Sequence, residues 1–433
     1  MNKNIARPKL FPRLILMLLL LLAQTCYAQT HIEFVPTLSF SEQYDDNIYL
    51  SAYNEISSYI TMISPGFSLS FLKQSTQFAL EYVPTFVWYS ESSIDSTVRH
   101  SGTLTFGQEL TERLRFDLTD TLLRSDDPLE DTEDVQGARS TREQYWRNNG
   151  TASVSYLFGP ENTFTAGYRN EYLKNDDELE DDGRTQNPFV TLTYHINVKN
   201  CVELDFGYTK ADFWAGDLAV AQDDYTGYEP GIRYLYSFNP HSTGILSYNF
   251  VTRRFDDNYL AGILVNENYD VHDGSIGFEH SFSPDLSVSA ASGYFVREND
   301  ISDNDTGYTY EALLTKGFER GNIEIGGSGG WDESYMYSTS RGFATYWSVN
   351  TSAEYQILEP LTGYAGGSYR SSEDEDDQKW DITRGNCGLR WDFLRWYSLA
   401  VDYTYAERDD DVADSYRDNR ISLILTAHRL YRW

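Results

Sequence analysis

Catalysis needs side chains that can act together. His100-Ser101 and His280-Ser281 are the closest histidine–serine pairs, the material of a nucleophile activated by a base. Neighbouring residues on a strand point to opposite faces, so neither pair can work on one side of a sheet. The seven histidines, at 31, 100, 195, 241, 272, 280 and 428, lack the spacing of metal ligands. No phosphate loop, dinucleotide fingerprint or nucleophile elbow occurs. The cluster Gly326-Gly327-Ser328-Gly329-Gly330 lies in an alternating segment and reads as room for close packing or for a lumen. The sequence reads as a non-enzyme, and it asks for no cofactor.

Acids are the commonest candidates for binding. Asp126, Asp127, Glu130, Asp131, Glu133 and Asp134 form one run, and Asp176, Asp177, Glu178, Glu180, Asp181 and Asp182 another. Glu373, Asp374, Glu375, Asp376 and Asp377 form a third, and Asp409, Asp410, Asp411 and Asp414 a fourth. None has the spacing of an EF-hand loop. They read as solvated loops. Asp176, Asp177, Glu178, Asp374, Glu375 and Asp376 are weak candidates for a divalent cation that bridges the loops to lipopolysaccharide.

These side chains need elements to position them. After the N-terminal segment no window keeps a 3.6-residue period, whereas alternation with period two is everywhere. Phe78, Leu80, Tyr82, Phe86 and Trp88 alternate with Gln77, Ala79, Glu81 and Thr85. Val202, Leu204, Phe206 and Tyr208 alternate with Glu203, Asp205, Gly207 and Thr209. Phe343, Trp347, Val349 and Tyr355 alternate with Ser348, Asn350, Ser352 and Glu354. One face is apolar and aromatic; the other is small, polar or charged. The register reads as slipping near His272–Ser275 and Arg384–Cys387, and Pro36, Pro65, Pro84, Pro188 and Pro230 fall in or beside strands, where bulges or strand ends are expected.

Nine short turns punctuate the pattern, at 73–75, 111–113, 159–162, 198–200, 239–241, 283–285, 319–321, 358–360 and 394–396. Each interval reads as strand, longer polar loop, strand. The prediction is an all-β, closed antiparallel transmembrane β-barrel of about twenty strands, with eighteen the alternative count. It has short periplasmic turns and long acidic extracellular loops. A β-propeller needs three turns in each 40-residue blade, and a soluble sandwich needs an apolar face where this chain has Ser, Thr, Gly and charges. An apolar exterior around a polar interior suits a barrel in lipid.

Alternation places Glu81, Asp117, Glu203, Asp205, Glu229, Glu279, Glu311, Glu324, Glu354 and Asp402 on the lumen wall, with Arg99, Arg115, Arg169, Arg233, Arg253 and Arg297. Acids outnumber bases, so such a lumen disfavours anions and admits cations or neutral sugars.

Composition agrees. The chain has 433 residues, 34 Lys+Arg against 66 Asp+Glu, and a net charge of −32, which argues against a nucleic-acid partner. A mean hydropathy of −0.51 excludes a bundle of apolar spanning helices. Aromatic residues at 15% exclude a disordered chain. Residues 1–28 read as a signal peptide: Lys3, Arg7, Lys9 and Arg13, then the apolar run Leu14–Ala23, then Cys26-Tyr27-Ala28 with small residues at −3 and −1. Residues 29–433 then form the single barrel domain. Cys201 and Cys387 remain in it, and their pairing is open. The chain ends Leu430-Tyr431-Arg432-Trp433, an aromatic terminus like those that barrel-assembly machinery engages.

Ser39-Phe40-Ser41-Glu42-Gln43-Tyr44-Asp45-Asp46-Asn47-Ile48-Tyr49-Leu50 resembles the start of the porin-like barrels grouped as beta-barrel porin 2, and Ile60–Leu69 and Tyr82–Phe86 resemble its next two strands. The match covers roughly residues 35–90. The resemblance implies the outer membrane of a Gram-negative bacterium, contact with its lipid and lipopolysaccharide, and association in some members with exopolysaccharide export. It brings no catalytic residues. The expected function is passive passage of small hydrophilic or saccharide solutes. The alternative is a non-transporting barrel serving as a structural or surface component of an export system. Oligomeric state is open.

Overall fold

A computed structural model describes residues 31–130, 139, 142–177, 180–214, 224–256, 259–260, 263–264, 266–333, 335, 342–411 and 415–433. The signal-peptide reading of residues 1–28 lies outside them, as does Glu178.

The strands are β1 (His31–Asp45), β2 (Ser58–Lys73), β3 (Thr76–Tyr89), β4 (Thr97–Thr111), β5 (Leu114–Ser125), β6 (Tyr145–Leu157), β7 (Thr163–Asn175) and β8 (Asp182–Asn197). Then follow β9 (Asn200–Trp214), β10 (Tyr225–Asn239), β11 (Ser242–Phe255), β12 (Tyr259–Leu260), β13 (Ile263–Leu264), β14 (Tyr269–Ser283), β15 (Leu286–Asn299) and β16 (Asp305–Phe318). The last are β17 (Gly321–Glu333), β18 (Phe343–Leu358), β19 (Leu361–Asp374), β20 (Lys379–Leu394), β21 (Tyr397–Asp410), β22 (Tyr416–His428) and β23 (Tyr431–Arg432). Twenty long strands, each antiparallel to its chain neighbours, form a closed barrel. β22 pairs with β1 from Thr37↔His428 to Asp45↔Arg420, and β23 prolongs that seam. β12 and β13 pair only with each other. Closure leaves no open sheet edge.

The nine short turns stand where the sequence places them, and both ends of the described chain lie at their end of the barrel, where Ile32 and Trp433 exchange backbone hydrogen bonds. The opposite end carries the longer connections.

Register carries one face around the whole wall. Leu423 and Leu425 on β22 stand opposite Glu42 and Phe40, Phe40 opposite Ile63, Ile63 opposite Phe86, and so on around. This face exposes Phe40, Leu246, Ile276, Trp347, Val401 and Leu423. The other face points inward, because its side chains meet those of strands that are not neighbours: Arg297 of β15 bonds Glu375 beyond β19, and Arg253 of β11 bonds Glu333 of β17.

Three expectations change. Pairing runs unbroken through His272–Ser275 and Arg384–Cys387. The apparent slip arises because the outward positions there hold His272 and Gly274 while inward Val271 is apolar and buried. Phe343 is not on the apolar outer face but buried in an interior cluster. The prolines sit at neither bulges nor strand ends. Pro65 and Pro84 face a gap between Ile63↔Phe86 and Phe67↔Tyr82, Pro188 a gap between Gln186↔Lys210 and Phe189↔Gly207, and Pro230 one between Thr226↔Arg254 and Gly231↔Asn249. Pro36 lies where the seam passes from β22 to β23. Each proline keeps its pairing on the other side, which is how a residue without an N–H fits a closed sheet.

Candidate functional site: the barrel interior

Parity and register put the charged residues assigned to the wall on the inward face, Glu279 included. Arg115 pairs with Asp117 at 2.8 Å, Arg233 with Glu203 at 2.9 Å and Arg253 with Glu229 at 2.9 Å. Arg169 lies over the Phe189 ring, 4.2 Å from its centroid, a position open because Gly167 has no side chain to meet that ring. Asp205 accepts from Thr191 at 2.8 Å, and Asp402 from Tyr364. Glu81, Glu279, Glu311, Glu324 and Glu354 make no ion pair among the described residues. Pairing therefore uses up most of the arginines and leaves the wall with a surplus of carboxylates.

The long-loop end of the interior is packed, which the sequence did not foretell. On one side Arg99 holds Asp126 at 2.7 Å and Asp127 at 3.4 Å, and donates to Tyr89 Oη at 2.9 Å. Arg420 reaches the same Asp127 at 2.8 Å, with Asp418 at 2.6 Å and Asp45 at 3.2 Å. Arg142 joins at Asp45, 3.1 Å away. Burial works against the Asp127 charge, yet the guanidiniums of Arg420, Arg142 and Arg99 outweigh it and hold its carboxyl far below the usual range. The first acidic run is therefore not simply solvated: Asp126 and Asp127 are buried ties between strands.

On the other side Tyr225, Phe255, Tyr269, Phe295, Tyr335 and Phe343 make an aromatic cluster. Arg297 lies 4.2 Å from the Tyr269 ring and 4.4 Å from the Phe343 ring and pairs with Glu375 at 2.6 Å. Arg253 pairs with Glu333 at 2.6 Å, and Tyr269 donates to the same carboxylate. Arg99, Arg253 and Arg297 each stand at an inward position near the long-loop end of a strand. That signal was available in the sequence; their partners across the barrel were not.

Two of the cation candidates, Asp374 and Glu375, are otherwise engaged. Asp374 Oδ1 accepts the backbone N–H of Asp376 and Gln378 in a tight turn whose Asp377 has a φ of 60°. Glu375 is taken by Arg297. Among the described residues no group of three His, Cys, Asp or Glu side chains could hold a metal ion.

The Ser242 hydroxyl lies 2.8 Å from His280 Nδ1. Both occupy the outer face, and His280 sits between Phe278 and Phe282, with no carboxylate among the described residues to orient it. The glycine cluster serves packing: a Cβ at Gly329 would fall 2.4 Å from the Tyr310 ring opposite.

The interior wall holds polar recesses. One of about 470 Å³ is lined by Asp273, Ser275, Glu311, Ser328 and Trp331. Another of about 450 Å³ is lined by Ser352, Ser368, Arg384, Asn386 and Thr404. A third, of about 320 Å³, lies between β6 and β11.

No protein-family model matches the sequence, and no characterised relative does. Solved structures do. The chain is similar to the siderophore receptor PiuA from Acinetobacter baumannii at 12% identity and a TM-score of 0.51, over 94% of this chain and 82% of that one. It is similar to the FrpB iron transporter from Neisseria meningitidis in its apoprotein form at 8% identity and a TM-score of 0.50, over 90% and 81%. The outer membrane protein opdK from Pseudomonas aeruginosa matches at 11% identity and a TM-score of 0.43, over 93% and 99%. The first two likenesses show a shared barrel fold.

Proposed function

We propose that the chain is a porin-like barrel of the outer membrane of a Gram-negative bacterium, through which small hydrophilic solutes, neutral sugars among them, pass passively. The observation that carries this reading is the inside-out wall. Leucine, isoleucine and aromatic side chains cover the exterior of a closed barrel, while Ser, Thr, Gly, Asn and free carboxylates cover the interior. Burying the outer face in lipid removes its apolar surface from water, and closure satisfies the backbone. At twenty strands a lumen holds water unless loops fill it. The long-loop end then faces outward from the cell. Trp433, 66% exposed beside Tyr431 at the seam, would be the end that assembly machinery grips.

The packed long-loop end favours the second reading, a non-transporting component of an exopolysaccharide export system. Planar-bilayer recording of the purified protein decides between them. A pore gives ion currents favouring cations over anions, and Glu311→Gln with Glu324→Gln and Glu354→Gln lowers that preference. Absence of current leaves the non-transporting reading, whereas a current whose preference is unmoved by the three changes keeps the pore and places its selectivity elsewhere.

A further inference from the structure

The recess of about 320 Å³ between β6 and β11 differs from the other two. Three side chains that line it each carry a buried polar atom without a hydrogen-bond partner among the described residues: Asn149 Oδ1, Thr185 Oγ1 and Asn187 Oδ1. Asn187 is only 9% exposed. A relay fixes its amide. Asn187 Nδ2 donates to Thr209 Oγ1 at 2.9 Å, and the Thr209 hydroxyl donates to Glu229 Oε1 at 2.8 Å. Arg253 holds Glu229 at 2.9 Å. Turning the Asn187 amide over would set its oxygen against a hydroxyl whose proton is already given to Glu229. Asn187 Oδ1 is therefore an acceptor with nothing to accept from. Gly207 keeps the place open, since a Cβ there would lie 3.2 Å from Asn187 Nδ2 and 3.4 Å from Glu229 Oε2.

Buried polar atoms are rarely left unpaired, because an unmade hydrogen bond costs more than a made one returns. Two amide oxygens and one hydroxyl in a single recess call for a partner rich in O–H donors. The carboxylates around them are paired, Glu229 with Arg253 and Glu171 with Arg147 at 2.6 Å, and the Arg169 guanidinium lies over the Phe189 ring. The three unpaired atoms are neutral. The volume is at the small end for a ligand site, suited to one ring rather than a chain.

We propose that this recess binds one ring of a neutral sugar, whose hydroxyls donate to Asn149 Oδ1 and Asn187 Oδ1 and share a hydrogen bond with Thr185. The proposal rests on the solute-passage reading only for how sugar arrives; binding itself needs only a water-filled interior. The test is calorimetric titration of the full-length protein in detergent with glucose, using glucosamine and glucuronate as charged controls and heat-modifiable migration as the check on folding. Glucose should bind in preference to both controls. Asn149→Leu, Asn187→Leu and Thr185→Val should each weaken it roughly three- to tenfold, and Thr185→Ser should retain it. No glucose binding by the wild type, equal binding of the charged sugars, or unchanged affinity in folded Asn149→Leu and Thr185→Val proteins would overturn the site. Bilayer recording is independent: a protein that binds glucose but passes no ions keeps this site and loses the pore.

Discussion

Arg297 and Glu375 meet at 2.6 Å across the inside of the barrel, one from β15 and the other from the turn after β19. Arg297 is 2% exposed, packed over Tyr269 and Phe343, whereas the Glu375 side chain is 46% exposed. The contact ties a turn to the wall four strands away and narrows the long-loop end. Glu375→Gln should cost about 0–1 kcal/mol of stability, since one partner stays in water, yet raise single-channel conductance if this tie restricts the path. Equal conductance in bilayers would show that the restriction lies elsewhere.

Asp127 is a different kind of tie. Arg99 and Arg420 both bond it, and all three are buried. Asp127→Asn removes the carboxylate that the two buried guanidiniums share, leaving Arg99 to Asp126 and Arg420 to Asp418 and Asp45. Losing one member of a buried network costs about 3–5 kcal/mol. The urea midpoint of the folded barrel in detergent should fall accordingly. A change within the scatter of repeat titrations would mean that water reaches this network.

Acid should release the two ties in order. Partial desolvation pushes the Glu375 carboxyl above the usual glutamate range although Arg297 opposes it, so it protonates above about pH 4.3. Asp127, held low by its arginines, keeps its charge well below about pH 3.9. Its contribution is complete above its unfolded value and is lost only as pH falls through the depressed folded one. Wild type and Glu375→Gln should therefore converge in conductance on mild acidification, while the stability gap between wild type and Asp127→Asn persists to much lower pH. A gap that closes first would reverse the assignment.

Much of this was legible in the sequence. The two-residue period gave the strands, and the turn residues gave their order. What escaped was the packing of the long-loop end. Alternation distinguishes outward from inward positions, but the buried Phe343 stands at the same parity as the exposed Trp347. Asp126 and Asp127 look like any solvated acid until Arg99 and Arg420, 321 positions apart in the chain, are brought together by closure. The unpaired oxygens of Asn187 and Thr185 are likewise products of register between β6, β8 and β9, and no local pattern marks them.

The two cysteines report which face is which. Cys201 takes an inward position on β9, and Cys387 an exposed outward one on β20. They form no disulfide. In liposomes a small charged thiol reagent should label Cys201 through the interior and spare Cys387, while an apolar maleimide should label Cys387. Mass spectrometry of the modified peptides reads both, and labelling with the opposite preference would invert the wall.

The five prolines make a separate prediction about the wall itself. Pro65 and Pro84 stand in register across the β2–β3 gap, where only the Ser64 and Thr85 hydroxyls join the strands, at 2.9 Å. β1 and β2 are bounded on the far side by the seam at Pro36, so this hairpin, fully paired within itself, has an interrupted ladder on each flank. Amide protection follows local opening. Residues 64, 66, 83 and 85 should therefore exchange faster than Ser101 to Thr105, whose pairing with both neighbours is unbroken. Pro65→Val with Pro84→Val restores two N–H donors where the register already matches. It should slow exchange at those positions and stabilise the barrel by up to about 1 kcal/mol, the net worth of a hydrogen bond. If the double variant instead exchanges faster or is destabilised, the gap is maintained by something other than the missing donors, and the hairpin is as firmly held as the rest of the wall.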